Sequence, residues 1–523
     1  MAALIAAALA GFAVLAVEIL GVHLLAPWFG TSALVWSQQI GVVLLALALG
    51  GWAGGRAART SEGVERRAAL LLAGGGALVA LSAVLIPAFA RWMLPASLTL
   101  DEAAASFLQG SLAAALFFFA PPVFLLAMVS PLLVEARARH RHAGQAAGEI
   151  GAAGTVGSLL GVFVCSFAAL PVLGVRGTLF LTSAALLLAA GILLAGRARA
   201  ASALLALACA TGVFTADPAR AANLPAGARL LEVRDSPYQR LRVIEFSATG
   251  ERWLQMNEGL DSFQSWWAPG ATWSGLYYDL FALAPLCAGI ETPVAGASRP
   301  VRFWILGFGA GSAMQPLRAA LGDRPVEAVG VELDPAVVAL GKRWMPLPDA
   351  AQAGLQIQAG ADARSLMRAA PTDLDFIVLD AYARQFEIPP HLATVEFFSE
   401  LGQHLRAGGV LAINVGTRDT PQDSAGLLAR LVASVRQGFG AELRLHRVPR
   451  SRNWILLARK SEPLPSRAAL AAIMPSGWPR EIGAALLPGQ TAENQAIPEA
   501  EPFTDERNAL PLLQALSWRE SRP

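Results

Sequence analysis

Up to about Thr215 the chain contains no lysine and consists mainly of Ala, Leu, Val and Gly, in apolar runs close to the length of a bilayer crossing. A helix needs about 20 apolar residues to cross a bilayer. Ala2–Leu25, Trp36–Gly54, Ala68–Phe89, Phe107–Val134, Ile150–Leu170 and Thr178–Leu194 approach or meet that length, and Ala201–Thr215 is a shorter seventh candidate. With 54% apolar residues, 15% charged and a mean hydropathy of +0.47, the whole chain exceeds what a soluble protein tolerates. Part of it must therefore sit in a membrane. From Asn223 onward the composition is globular. The net charge of +2 says little about nucleic acid, but no basic cluster interleaved with aromatics appears, and no nucleic-acid partner is expected. The three cysteines, Cys165, Cys209 and Cys287, form neither a disulfide framework nor a metal-ligand spacing, so no metal is expected.

Within the apolar half, Ala2–Leu25 lacks a basic leader and a clear cleavage site and is read as a retained first span. Neighbouring helices can accommodate Pro121, Pro122 and Pro131, which should nonetheless kink or break the fourth span. Gly50 with Gly54, and Gly157 with Gly161, have the spacing that lets helix backbones approach closely, and packing is the favoured reading. Glu18, with His23 nearby, stands inside the first span, where an ionisable group is expensive. Two readings stay open: a site for a cationic substrate, or a carboxyl bonded to a neighbouring helix or lying near the interface.

Arginines orient the spans. Arg56, Arg59, Arg66 and Arg67 follow the second span, Arg137, Arg139 and Arg141 the fourth, and Arg197 and Arg199 the sixth. The positive-inside rule puts these loops and the amino terminus in the cytoplasm. Seven full spans would then place the remainder outside the cell, and Arg199–Ala222 resembles an internal signal sequence ending in ARA. A cytoplasmic globular part needs Ala201–Thr215 to be re-entrant or interfacial, or one span fewer. The expected location is a multi-pass protein of the cell inner membrane, with the globular part assigned to the cytoplasmic side and the external side left open.

From Ala228 the apolar period changes to two. Arg229–Val233, Leu241–Phe246 and Arg252–Met256, separated by Ser-Pro and Thr-Gly turns, read as a small antiparallel sheet. Trp273–Leu286 reads as a helix carrying Tyr277, Tyr278 and Asp279, and composition alone assigns it to the core. After a loop at Glu291–Pro300, strands alternate with helices: Phe303–Gly307, Ser312–Leu321, Val326–Val331, Ala336–Trp344, Leu355–Gln358, Phe376–Leu379, Val395–Leu405, Val410–Val415, Ala425–Gln437, Leu443–Val448 and Trp454–Arg459. That alternation implies a doubly wound α/β domain. The expected organisation is a helical membrane domain over 1–222, a small sheet over 223–290, the α/β domain over 291–460 and a loose tail over 461–523.

An open α/β sheet binds its ligand beyond the carboxyl ends of its strands. Gly307, Gly309 and Gly311 follow the first strand, where a glycine turn lets backbone N–H groups approach a ligand. Glu332 ends the second strand, about 20 residues on, the usual place for an acid that accepts both ribose hydroxyls. The GxGxG spacing, with Asp362-Ala363 after the third strand, fits a single adenosine better than a dinucleotide, and Asp362 would take the adenine amino group. Asp380 ends the fourth strand, where a carboxylate can hold an amine, accept its proton and aim its lone pair at a sulfonium carbon.

Several segments together resemble the membrane-fused version of the polyamine aminopropyltransferases, the spermidine synthase family. RDSPYQRLRV is similar to the family's E-S-x-Y-Q strand and LQMNEGLDSFQS to its L-x-L-(N/D)-(E/D)-G segment. YYDLFALAPL resembles Y-H-E-M-L-x-H-x-P-L, ILGFGAG the glycine motif, VELDP the ribose-binding E-(L/I)-D, GADAR the G-D-A-R motif and DFIVLDAY the D-V-I-I-x-D strand. The resemblance covers about Leu231 to Val415, with an echo in FTDERNALP near the end. It implies a Rossmann-like, methyltransferase-type fold and an enzyme moving an aminopropyl group from decarboxylated S-adenosylmethionine to an amine, releasing methylthioadenosine. By that similarity Gln239, Glu332, Asp362 and Ala363 bind the donor, Asp380 accepts the proton, and Tyr277 and Tyr278 contact the amine, Tyr277 counting with Asp380 as catalytic; Asp279 and Glu258 are further candidates for binding the amine. Implied partners are the lipid bilayer and a small amine, with a homodimer left open.

Two departures bear on the substrate. Ala310 stands where the family's glycine motif carries an Asp, and Ala383 where the family has a second acid three residues after the catalytic one. Each unreplaced charged hydrogen bond is worth about 1.5–3 kcal/mol. Asp261, Asp279, Glu258 or Glu387 could compensate. Intact S-adenosylmethionine thereby becomes an alternative co-substrate, for methyl or alkyl transfer or a lyase. A third alternative is a polyamine or nucleoside transporter or sensor whose sheet only binds.

Overall fold

The computed structural model describes residues 1–29, 33–59, 63–94, 109–214, 224–236, 238–256, 263–290, 299–383, 387–417, 419–440, 442–475, 477–486, 491–493 and 497–517. Two compact units result. The first comprises Met1–Leu224, Asp235–Arg240 and Asn257–Leu260, and the second Pro225–Arg234, Leu241–Met256 and Asp261–Pro523.

Among the described residues of the first unit, six helices are long and apolar enough to cross a membrane: Ala2–Phe29, Leu34–Ala57, Val64–Met93, Gln109–Ala138, Ala143–Ala169 and Val172–Leu193. A seventh, Gly196–Gly212, has 17 residues and falls short of them. Close backbone approach explains the glycine pairs. A Cβ on Gly50 or Gly54 would lie within 2.6 Å of the carbonyl oxygens of Phe124 or Met128, and one on Gly157 or Gly161 within 2.5 Å of those of Ala8 or Phe12. Glycine at these positions lets the second helix seat on the fourth and the fifth on the first.

The prolines do not break the fourth helix, and a neighbouring helix accommodates them. Ala115–Phe119 widens into a π-helical turn just before Pro121, with Ala120 N–H bonded to Ala115 O. Pro122 cannot donate to the Phe118 carbonyl, and Ser82 Oγ on the third helix donates to it instead at 2.8 Å. A neighbouring hydroxyl thus satisfies the backbone group that proline leaves open. A second π turn, Cys165–Ala169, precedes Pro171 in the same way.

The second unit holds two sheets. Strands β1 (Ala228–Asp235), β2 (Arg240–Phe246), β3 (Arg252–Met256) and β4 (Ser265–Trp267) form a sheet in that order, β2, β3 and β4 antiparallel, the last absent from the sequence reading. The larger sheet contains β5 (Val301–Leu306), β6 (Val326–Glu332), β7 (Leu355–Ala359), β8 (Leu374–Leu379), β9 (Leu405–Gly416), β10 (Glu442–Arg447), β11 (Asn453–Arg459) and β12 (Thr491–Glu493). Its order is β12-β10-β11-β9-β8-β5-β6-β7; β5 to β9 run parallel and β10 to β12 pair antiparallel. Helices cover both faces, as the near-continuous apolar strands require. β5 lies between β6 and β8, so the chain reverses its direction of winding there, and the carboxyl ends of β5 and β8 flank the switch point where such sheets bind ligands.

Two expectations fail for local reasons. Trp273–Leu286 is not one helix: Gly275 has a φ of 72°, and only Tyr277–Ala282, a 3-10 turn, and Leu283–Cys287 are helical. The tail is not loose either. β12 extends the sheet, and Phe503 and Leu510 are fully buried in the same core cluster as Phe397 and Leu431. The apolar residues of a Pro/Ala/Glu-rich segment are enough to dock it.

Candidate functional site

The glycine loop joins the ends of β5 and β8. Gly307, Gly309 and Gly311 have φ of 87°, 58° and 94°, conformations that side chains resist. A Cβ on Gly307 would stand 2.4 Å from Asp380 O, since Asp380 N–H bonds to Leu306 O at 2.8 Å. The loop is clipped to β4: Ala310 N–H donates to Ser265 Oγ at 2.9 Å, and Ser312 Oγ both accepts from Trp266 N–H and donates to Trp266 O.

Glu332, 8% exposed at the end of β6, accepts from Gly309 N–H at 2.9 Å and Asp334 N–H at 3.0 Å. Burial raises its carboxyl above the ordinary range, against the lowering effect of those two N–H groups. It is thus fixed to the glycine loop with lone pairs left for hydroxyl donors. Leu333 beside it is an exposed apolar side chain.

Asp362 caps the short helix Ala363–Met367, its Oδ1 accepting from Ser365 N–H at 2.9 Å. Its Oδ2 pairs with His391 Nε2 at 2.9 Å, a partner that sequence reading missed. Burial raises its carboxyl, but the Ser365 and His391 bonds prevail and hold it below the usual range. Arg364, next to Ala363, forks onto Asp505 at 2.7 and 2.8 Å and onto Glu400 at 2.9 and 3.2 Å. The FTDERNALP segment thereby anchors the helix that carries Asp362 and Ala363.

Asp380 is the chemical centre of this arrangement. Its Oδ1 accepts from Asn414 Nδ2 at 2.8 Å and its Oδ2 from Tyr277 Oη at 3.1 Å. Asn414 is oriented in turn by Asn453 Nδ2, which donates to its Oδ1 at 2.8 Å. Burial pushes the Asp380 carboxyl up to about 7, opposed by the Asn414 and Tyr277 bonds. Burial and the Asp380 charge push the Tyr277 hydroxyl far above its ordinary value, so it remains a donor. A carboxylate poised near neutrality, with one orientation enforced from two sides, suits proton abstraction. Asn414→Ala removes a bond that lowers the Asp380 value. The acid limb of a pH–rate profile should then move to higher pH, by about one unit, and an unmoved limb would deny Asn414 this positioning role.

The remaining sequence candidates fare differently. Tyr278 is buried, donates to Gln264 O at 2.9 Å and lies 4.0 Å, ring to ring, from Tyr277, so its hydroxyl is committed to the fold. Asp279 is fully buried and caps the loop before it, accepting from Ser274 N–H, Ser274 Oγ and Gly275 N–H. These local donors engage both of its oxygens and hold the carboxylate to the loop before it. Ala310, 7% exposed, packs with Val337 and Leu340 and against Gly341, so an apolar wall stands where the family carries an acid. Gln239 lies in the Asp235–Arg240 turn grouped with the first unit, its carbonyl accepting from Ser236 N–H. Glu258 and Asp261 lie outside the described residues.

No family model matches the chain. A curated relative, named probable polyamine aminopropyl transferase, from Bifidobacterium longum (strain NCC 2705), is 29% identical over 188 residues, 36% of this chain and 38% of that protein. The chain resembles the polyamine aminopropyltransferases. The match spans well under half of that relative's length. Among solved structures, a probable spermidine synthase from Corynebacterium glutamicum ATCC 13032 is 21% identical, with a TM-score of 0.41 over 53% of this chain and 97% of its own. Spermidine synthase from Thermotoga maritima is 16% identical, with a TM-score of 0.34 over 49% and 88%. Human methyltransferase-like protein 13, in complex with SAH, is 18% identical, with a TM-score of 0.30 over 40% and 89%.

Proposed function

We propose that the chain is a membrane-anchored transferase of the spermidine synthase type, moving an aminopropyl group from decarboxylated S-adenosylmethionine to an amine acceptor. The observation that carries this reading is Asp380, held by Asn414 and Tyr277 at the switch point beside the glycine loop. Glu332 holds the ribose hydroxyls, and Asp362 takes the adenine amino group on the oxygen that His391 otherwise occupies. Ala363 completes the donor pocket by resemblance. Asp380 holds the acceptor amine and takes its proton. The amine nitrogen bonds to the methylene carbon next to the sulfonium, the carbon–sulfur bond breaks, and its electron pair leaves as the thioether of methylthioadenosine. Tyr277 donates to the Asp380 oxygen throughout and fixes the direction of attack.

Ala310 supports a second reading in which intact S-adenosylmethionine is the co-substrate, because no acid there repels the donor's own carboxylate. Purified protein should be incubated with decarboxylated or intact donor, each with and without putrescine or spermidine. Methylthioadenosine formed only from decarboxylated donor plus amine supports the first reading. Its release from intact donor without amine would replace the first reading with the second.

The six spans among the described residues, with a cytoplasmic amino terminus, return the chain to the cytoplasm after Leu193, where the Arg197 and Arg199 pair agrees. We accordingly assign the catalytic unit to the cytoplasmic side of a multi-pass protein. A carboxyl-terminal alkaline phosphatase fusion, active only outside the cytoplasm, should be inactive and the corresponding fluorescent-protein fusion bright; the reverse pattern would refute the assignment.

A further inference from the structure

We propose an ammonium-binding site inside the helical unit, formed by Glu18 and Gln39. It rests on that unit alone and does not depend on the catalytic reading. Glu18 is partly buried in the middle of the first helix and bonds to no other described residue. One turn along the same face, Gly21 makes room for a second polar side chain: a Cβ there would lie 2.4 Å from Gln39 Nε2 and 3.4 Å from the Phe119 ring. Gln39, on the second helix, is 1% exposed, yet neither its Nε2 nor its Oε1 has a hydrogen-bond partner.

A buried amide with both ends unsatisfied is costly, as is an unpaired carboxyl at this depth. Together they form a consistent set for one ligand class. A carboxylate supplies the charge, the Gln39 carbonyl a further acceptor, and the Phe119 ring an aromatic surface near the same glycine. An alkylammonium group serves the carboxylate, the carbonyl and the ring, as a strong donor with a charge and an apolar stem, and leaves Gln39 Nε2 to donate to the same carboxylate. Both π-helical turns, Ala115–Phe119 and Cys165–Ala169, touch the first helix as well. Such turns occur frequently at functional sites.

Dicyclohexylcarbodiimide, which attacks carboxyls in apolar surroundings, provides the test on detergent-solubilised full-length protein. Mass spectrometry should find the Glu18 peptide modified, and saturating putrescine should slow that modification about tenfold. Peptide mapping keeps this readout separate from Asp380. Gln39→Leu, which replaces an unsatisfied amide by a similar apolar volume, should weaken the protection while Glu18 remains reactive. Glu18→Gln should lose one equivalent of bound labelled putrescine with methylthioadenosine formation unchanged. An unreactive Glu18, or one modified equally fast with and without putrescine, would overturn the site, as would protection unaffected by Gln39→Leu.

Discussion

Asp380→Asn is expected to abolish turnover and, at pH 8, to leave the folded protein more stable than the wild type. Loss of a positioned general base costs about 10²–10⁴-fold in rate. The stability gain follows from the raised carboxyl, shifted from 3.8 to about 7 by burial. A group that binds its proton more tightly in the folded state stabilises the fold while protonated and loses that advantage as pH rises through the folded value. Below the unfolded value near 3.8 both states hold the proton, and Asp380 carries no charge penalty. Above pH 7 the penalty is complete, at most about 4 kcal/mol at ~1.4 kcal/mol per unit. The partial exposure of Asp380 and a mismatched Asn–Asn414 contact reduce the net gain to about 1–3 kcal/mol. Thermal unfolding at pH 8 and pH 5 reads this directly. A variant that is less stable than the wild type at pH 8 would show that Asp380 is not strained by its site, and undiminished turnover would remove it from the mechanism.

Gly307→Ala is the second large effect. Its φ of 87° alone costs an alanine about 1–3 kcal/mol, and the new methyl would sit 2.4 Å from the Asp380 carbonyl and 2.6 Å from Ala381 N. Both contacts are backbone, so the strand end must move rather than a side chain. A total destabilisation of about 3 kcal/mol is expected, with turnover lost in the protein that remains folded because Asp380 is displaced. Gly341→Ala provides the contrast. Its new methyl would meet Ala310 Cβ at 2.9 Å, outside the Asp380 hydrogen bonds, so its cost should fall on stability more than on rate. Equal rate losses in the two variants would contradict the geometric argument.

Much of this site was legible because its residues sit where local rules act. Glu332 and Asp380 end short apolar strands, and the three glycines adopt φ values that side chains resist, so period and punctuation locate them. Asn414, Asn453 and His391 carried no such signal. Asn414 reaches Asp380 because β9 lies beside β8, and Asn453 reaches Asn414 because β11 pairs with β9, neighbours that only the sheet order brings together. Asp505 bonds to Arg364 from 141 residues away, so a polar, proline-containing tail read as loose was in fact docked. The local bonds of Asp279 were invisible for the opposite reason. Its neighbours along the chain, Ser274 and Gly275, use the carboxylate locally, and a family motif places an acid without saying what it binds. In the helical unit the glycine pairs were read correctly, whereas Pro121 and Pro122 were absorbed by a π turn and the Ser82 hydroxyl of another helix.

The most direct measurement follows the transferred group itself. Decarboxylated S-adenosylmethionine labelled in its aminopropyl chain is supplied with putrescine to the full-length protein in detergent, and the amine products are separated. The proposal requires the label to appear in the elongated amine in equal amount to methylthioadenosine, and to be absent from that product in Asp380→Asn. Label retained on the nucleoside, or methylthioadenosine formed without an elongated amine, would contradict it.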